Sequence, residues 1–232
     1  MIQLDQSIWV FDGGNVDFYG FPYPTRMVVI RLKSGDLWIW SPIHLTSELK
    51  EKLKSIEGEV RHLVSPNRIH HLFLGEWKEA YPDARLWAVD STIRKRKDLV
   101  FEAALEKGVP TEWRGEIDQF WFHGSPIFDE MCFYHRESKT AIFADLSENF
   151  SDTFLNKYWS KWKIKIARVW KITEPYGFAP LELRLSWIRK SEDRKMMRQL
   201  IEERPERVVM AHGKVQMDAG DAYLKKAFQW ML

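Results

Sequence analysis

Several of the chain's seven histidines, together with one aspartate, stand where a strand should give way to a turn: His70 and His71, His123, Asp145 and His212. Imidazole and carboxylate are the donors that Zn, Fe or Mn accept. An ion held by three such side chains with one position open can turn bound water into a nucleophile near neutral pH. The chemistry these residue types could carry is metal-assisted hydrolysis of a small-molecule substrate. Each alone is an ordinary polar group at a loop edge, and only convergence in the fold would make them a site.

The elements that must deliver them follow from hydrophobic periodicity. Met27 to Leu32 and Leu37 to Trp40 are β-rich runs joined through Lys33, Ser34, Gly35 and Asp36, which predicts a hairpin. Leu45, Leu49, Leu53 and Ile56 recur every three or four residues behind Thr46, a helix with its N-cap. Glu59 to Val64 (strand), Leu72 to Ala80 (helix) and Arg85 to Val89 (strand) have connections short enough for right-handed β-α-β winding, so the middle of the sheet should be mixed or parallel. Ile117 to Phe122, Met131 to Tyr134 and Thr140 to Ala144 predict a second β-rich half. Helices are expected over Phe154 to Trp170, Pro180 to Arg189, Ser191 to Glu203 and Gly220 to Met231, with a strand at Arg207 to Ala211. On this layout His70 and His71 follow a strand and the turn Ser65, Pro66, Asn67. His123 precedes Gly124, Asp145 ends a strand, and His212 precedes Gly213, whose backbone can turn sharply.

The order of these segments resembles the metallo-β-lactamase superfamily, and within it a degenerate branch known as a domain of unknown function, over most of the chain. That superfamily ends a strand in Thr-His-x-His-x-Asp-His, and the matching stretch here is Ser65, Pro66, Asn67, Arg68, Ile69, His70, His71. A Gly-His-Thr-like bend at His123 to Pro126, a Gly-Asp-Leu-like Ala144, Asp145, Leu146 and a terminal His212, Gly213 complete the likeness. The resemblance implies a single α/β domain over residues 1–232, a four-layer αββα sandwich. It also implies that the first metal's ligands are lost, because Pro66 and Arg68 occupy their positions. The second metal's ligands map to His70, His71, Asp145 and His212, which would hold one divalent transition metal (Zn, Fe or Mn). Arg68 would supply positive charge where the first ion would be and steady an oxyanion, with Asp145 in the catalytic set. The other outcome is an apo protein in which Arg68 forms a salt bridge and fills the vacated pocket. Two functions follow: a mononuclear metal-dependent hydrolase, or a catalytically inactive relative that binds a partner. Esters, thioesters, lactams and phosphodiesters are all cut on this fold, which does not choose among them.

Composition sets the remaining bounds. With 14% aromatic residues and 45% hydrophobic, the chain is not a disordered one. The 35 basic and 33 acidic residues sum to +2, so no global field draws it to nucleic acid, which is not expected as a partner. Cys132 is the lone cysteine, which excludes an internal disulfide and suits the cytoplasm. Neither a signal peptide nor a membrane span is expected from the pattern of apolar residues. Leu155, Tyr158, Trp159, Trp162, Ile166, Val169 and Trp170 keep helical spacing among Lys157, Lys161, Lys163, Lys165, Arg168 and Lys171. A core-facing helix is expected there, ahead of a membrane-surface or base-stacking one. Arg94, Lys95, Arg96 and Lys97 are expected to form a solvated face. Tyr19, Phe21, Pro22, Tyr23 and Pro24 could rim a site at the sheet ends.

Overall fold

Alternation along the strands decides the architecture. In a computed structural model describing residues 1–232, the chain begins with β1 (Ile2–Asp5), β2 (Ile8–Phe18), β3 (Phe21–Arg31) and β4 (Asp36–Trp40). It continues through α1 (Ser47–Lys54), β5 (Glu59–Ser65), α2 (Leu74–Ala80), β6 (Arg85–Ala88) and α3 (Asp90–Lys95). Strands β1 to β6 lie in sequence order in one sheet, antiparallel as far as β4 and parallel from β4 to β6. Val28, Ile30, Trp38 and Trp40 point to one face, and Met27, Val29, Leu37 and Ile39 to the other, and all eight are buried. A strand with period-two side chains that is apolar on both faces must be covered on both.

The second sheet repeats this logic. After β7 (Ile117–Phe122), β8 (Glu130–His135) and β9 (Thr140–Asn149) come α4 (Asp152–Tyr158), α5 (Lys161–Trp170), α6 (Leu181–Ser186) and α7 (Ser191–Glu202), then β10 (Arg207–Gly213) and α8 (Gly220–Ala227). The strand order is β10-β9-β8-β7. Met131, Phe133, Ile142 and Val209 meet the first sheet, while Cys132, Tyr134, Phe143 and Met210 pack with Met197, Leu200 and Leu224 of the outer helices. The result is the expected four-layer αββα sandwich.

Details differ where local chemistry is stronger than pattern. The pattern gives little sign of the first two strands, because the apolar run of β2, buried on both faces, is only Ile8–Phe11 before the exposed Asp12–Asn15 stretch. The aromatic segment at Tyr19–Pro24 belongs to the β2–β3 hairpin. Its turn residues Tyr19 and Gly20 both take positive φ, as a two-residue primed turn requires. The aromatic-lysine stretch forms two helices, because Ser160 caps α5 after Trp159 leaves helical geometry. Leu155, Trp159, Ile164 and Ala167 are buried there, against a hairpin that includes Phe21 and Tyr23. In the basic run, Arg94 pairs with Asp90 and Arg96 with Asp98. No helix is long and apolar enough to cross a membrane.

Two histidines outside any candidate site have a consequence for stability. His62 and His135 are buried, and burial holds the pKa of each down at about 4. The Trp87 indole N–H donates to His62 Nδ1, and His135 Nδ1 meets Ser138 Oγ. Because the unfolded chain takes up these protons near pH 6.5 and the folded one only near 4, acidification across that window favours unfolding. The slope reaches at most about 1.4 kcal/mol per pH unit for each histidine. Urea midpoints should therefore fall between pH 7 and 4.5, and more shallowly in His62→Gln than in the parent. Equal slopes would show that His62 titrates alike in both states.

Candidate metal centre

The loop after β5 is shaped by its own side chains. Ser65 Oγ reaches the carbonyls of Asn67 and His70 (3.0 and 2.8 Å), and Asn67 Oδ1 accepts from the backbone N–H groups of Ile69 and His70 (2.9 and 3.2 Å). This Asx-type turn postpones the helix to Leu74 and leaves His70 aimed at the gap between the sheets' ends. There His70 Nδ1 meets Ser41 Oγ at 2.7 Å and Nε2 faces Asp145 Oδ2 at 3.3 Å.

His71 leaves the turn in another direction. Arg96 donates to its carbonyl at 2.7 Å and approaches its Nδ1 at 3.4 Å. Burial, then the charges of Lys95 and Arg96, lower its pKa to about 4. Of the four residues expected from sequence, the structure brings together His70, Asp145 and His212, while the Ile69–Leu72 turn holds His71 against Arg96 and away from that group. Arg68 stands apart too: its exposed guanidinium donates to the Ile127 carbonyl (3.3 Å) and takes no part in lining the cavity described below. His123 also lies elsewhere, stacked on Trp121 with ring centroids 4.0 Å apart.

Asp145 sits within β9 rather than after it, in a bulge. The β9–β10 register runs from Phe143↔Met210 to Glu148↔His212, so four residues of β9 oppose one of β10. Antiparallel pairing with β8 has already stopped at Ile142. The backbone N–H groups freed by the bulge go to Glu130, whose carboxylate accepts from Ala144 (2.7 Å), Asp145 (2.8 Å) and Leu146 (3.3 Å). Bulges of this kind re-aim a side chain at a site. Asn67 Nδ2 then ties Asp145 Oδ2 (2.7 Å) to Glu130 Oε2 (3.2 Å).

His212 arrives from β10. Its Nδ1 faces the Pro24 carbonyl at 2.8 Å and must donate, since a carbonyl has no proton to give, which directs Nε2 to Asp145 Oδ1 at 3.2 Å. Gly213 follows with φ +107°, and a Cβ there would run into the Asn149 backbone. Arg26 fixes this strand end by donating to the Met210 and Gly213 carbonyls (2.8 and 2.6 Å) while pairing with Asp12.

Ligating atoms of His70, Asp145 and His212 all lie within 4.8 Å of one another. Two donors each about 2.1 Å from a tetrahedral ion stand about 3.4 Å apart, close to the 3.2 and 3.3 Å separations here. The Nδ1 contacts to Ser41 and the Pro24 carbonyl orient the two rings as outer partners of metal-ligating histidines do. The donor set fits a divalent transition metal. Burial opposes charge on Asp145, yet His70 and His212 prevail and hold its carboxyl far below the usual range. Burial likewise opposes a proton on His70, and the Asp145 charge overcomes it, raising the pKa.

These groups lie on the wall of a cavity of about 440 Å³ that also touches Phe18, Tyr23, Arg26, Ile69, Leu72 and Glu148. The Tyr23 ring meets the His212 ring edge-on at 4.9 Å, and its hydroxyl lies 3.4 Å from Glu148 Oε2. Burial, then the charges of Asp145 and Glu182, push the Glu148 carboxyl well up. Asn67, Glu130, Ser41, Arg26 and Glu148 were all missed from sequence. Only Glu130, an acid opening the apolar strand Met131 to Tyr134, left a visible signal.

If Ser41 and Asn67 act by orienting His70, replacing either by alanine should weaken zinc affinity by about 10- to 100-fold, the range for outer partners. Competition with a chromophoric chelator measures this. An unchanged affinity would mean that His70 needs neither support.

A family model described as Domain of unknown function (DUF4336) matches residues 5–155, well over half of the chain. The chain belongs to this family. Across nearly its whole length this DUF4336 protein is also similar to solved metallo-β-lactamases. DIM-1 metallo-β-lactamase exposed to ceftazidime aligns with a TM-score of 0.63 at 16% identity, covering 98% of this chain and 95% of that one. The enzyme from Erythrobacter litoralis gives 0.64 at 12% (99% and 94%), and that from Pontibacter korlensis 0.58 at 12% (99% and 97%). At such identities the likeness shows the metallo-β-lactamase fold. A comparison of the DUF4336 chain with curated proteins gave no match.

Proposed function

We propose that this protein is a hydrolase-like enzyme dependent on a single divalent transition metal held by His70, Asp145 and His212. The convergence of two imidazoles and one carboxylate within 4.8 Å on a cavity wall carries the reading. A bound Zn, Fe or Mn would supply Lewis acidity and lower the pKa of a coordinated water. The chain's own part is to hold and shelter. Ser41 and the Pro24 carbonyl set the ring orientations, and Asn67 with Glu130 fixes the carboxylate. Ile69, Leu72, Phe73 and Leu183 give the cavity an apolar wall beside the three donors. Arg68 and His71 have no role in this proposal.

A second reading, a catalytically inactive ligand-binding protein, is favoured by one observation. His70 and His212 already pair with Asp145 at 3.3 and 3.2 Å, which balances the carboxylate without an ion. Elemental analysis of protein purified without chelator, joined to turnover of activated esters, thioesters and phosphodiesters, separates the two. The hydrolase reading expects about one ion per chain and activity that a chelator removes. Metal-free protein that takes up no zinc and cuts nothing supports the binder.

A further inference from the structure

The cavity beside the proposed centre holds more carboxylate than the centre uses. Glu148, on β9 past the bulge, is 1% exposed, and its one polar side-chain contact is the 3.4 Å approach of the Tyr23 hydroxyl. That is longer than an ordinary O–H···O bond, and the second carboxylate oxygen has no partner. Glu182, in the first turn of α6, lines the same cavity. The nearby guanidiniums are committed elsewhere. Arg26 is taken up by Asp12 and two carbonyls, and Arg184 donates to the carbonyls of Ala179 (2.9 Å) and Trp170 (2.8 Å). No basic side chain is ion-paired with Glu148 or Glu182.

A carboxyl group this buried and this sparsely hydrogen-bonded holds a charge poorly on its own, and a ligand that brings a counter-charge favours its ionised form. The surroundings suit an organic cation better than an ion with a full hydration shell. Phe18, Tyr19, Tyr23, Leu72 and Phe73 give the cavity aromatic and apolar surface. Aromatic faces attract ammonium groups, and the hydrocarbon attached to one is desolvated favourably against such walls. An anionic ligand would meet Asp145, Glu148 and Glu182 together.

We infer that Glu148, assisted by Glu182, forms a subsite for the ammonium group of a small amine whose apolar body fills the cavity between the β2–β3 hairpin and α6. The inference deepens the hydrolase reading, since such an amine's scissile group would lie toward His70, Asp145 and His212, and it rests on that reading for the reaction though not for the binding.

The test uses three probes of one shape, phenethylamine, phenethyl alcohol and phenylacetate, titrated calorimetrically into the full chain, with zinc content measured on the same samples. Phenethylamine is expected to bind tightest, by about tenfold or more over the alcohol, with phenylacetate the weakest. Glu148→Gln should remove that preference while leaving the alcohol's affinity within about twofold, and Glu182→Gln should reduce it by about threefold. If Glu148→Gln fails to fold, the Glu182→Gln change and the probe order decide. Phenylacetate binding as well as the amine, or an amine preference that survives both variants, overturns the subsite. So does loss of zinc in folded Glu148→Gln, which would make Glu148 a ligand instead. Bound zinc without amine preference removes the subsite alone. Amine preference in protein that takes no zinc removes the hydrolase reading alone.

Discussion

Asp145→Asn is expected to abolish stoichiometric zinc uptake, weakening affinity by more than the roughly 100-fold upper end known for outer partners, and to remove any metal-dependent turnover with it. Asp145 is the only anion among the three converging donors, and each of its oxygens faces one imidazole. An amide keeps the size and loses the charge that draws a divalent ion. Its NH₂ group would also turn a donor toward Nε2 of a histidine or toward Asn67 Nδ2, which now donates to Asp145 Oδ2. Two controls sharpen the result. Arg68→Ala should leave zinc affinity within about twofold, as an exposed group whose contact is the Ile127 carbonyl contributes little. His71→Ala should lower stability by removing a buried ring while its carbonyl still accepts from Arg96, yet leave one ion bound per chain. Isothermal titration of zinc into all four proteins gives the comparison. Zinc retained in full by Asp145→Asn, or lost in folded His71→Ala, would relocate the centre.

The contrast between His70 and His71 marks how far the sequence was legible. Strands β3 to β10 could be read because their apolar residues alternate or run continuously, and period-two burial is a local property, while the four-layer sandwich came from the resemblance. The strand-end placement of His70 and His212 followed from the same pattern. Which of two adjacent histidines faces the site depends on the Asx turn at Asn67 and on the Ser65 hydroxyl, hydrogen bonds that leave no periodic trace. The family motif ends in Asp-His, so the resemblance mapped ligands to both His70 and His71, and His71 is the position it keeps unchanged. Glu148 was hidden for another reason. It follows Asp145 in the run Asp145–Asn149, whose polar residues look like a loop, and only the continuation of β9 past its bulge buries it. Arg26 gives no signal in the sequence, because its partners Met210 and Gly213 are distant along the chain and offer only backbone carbonyls. Long-range backbone acceptors are invisible to pattern.

Glu130→Ala is expected to be the most destabilising single change at this end of the fold. The bulge exists because β9 leaves its ladder with β8 after Ile142, and the N–H groups of Ala144, Asp145 and Leu146 would be orphaned without the Glu130 carboxylate. The same carboxylate accepts from Asn67 Nδ2 and the Cys132 thiol. Each buried donor left unpaired costs about 1 to 3 kcal/mol, so losing several approaches the whole stability of a typical domain, about 5 to 15 kcal/mol. Glu130→Gln should cost less, since its carbonyl still accepts while its NH₂ confronts one backbone donor. Burial and the Asp145 charge push the Glu130 carboxyl up to about 7, against the pull of the Ala144 and Asp145 N–H groups. The ordering of variants therefore separates two roles. If the carboxylate serves as a clamp for the bulge, urea midpoints fall in the order parent, Glu130→Gln, Glu130→Ala, and zinc affinity falls with them because Asp145 is no longer aimed. A Glu130→Gln protein more stable than the parent would show that the buried charge costs more than the bulge gains from it.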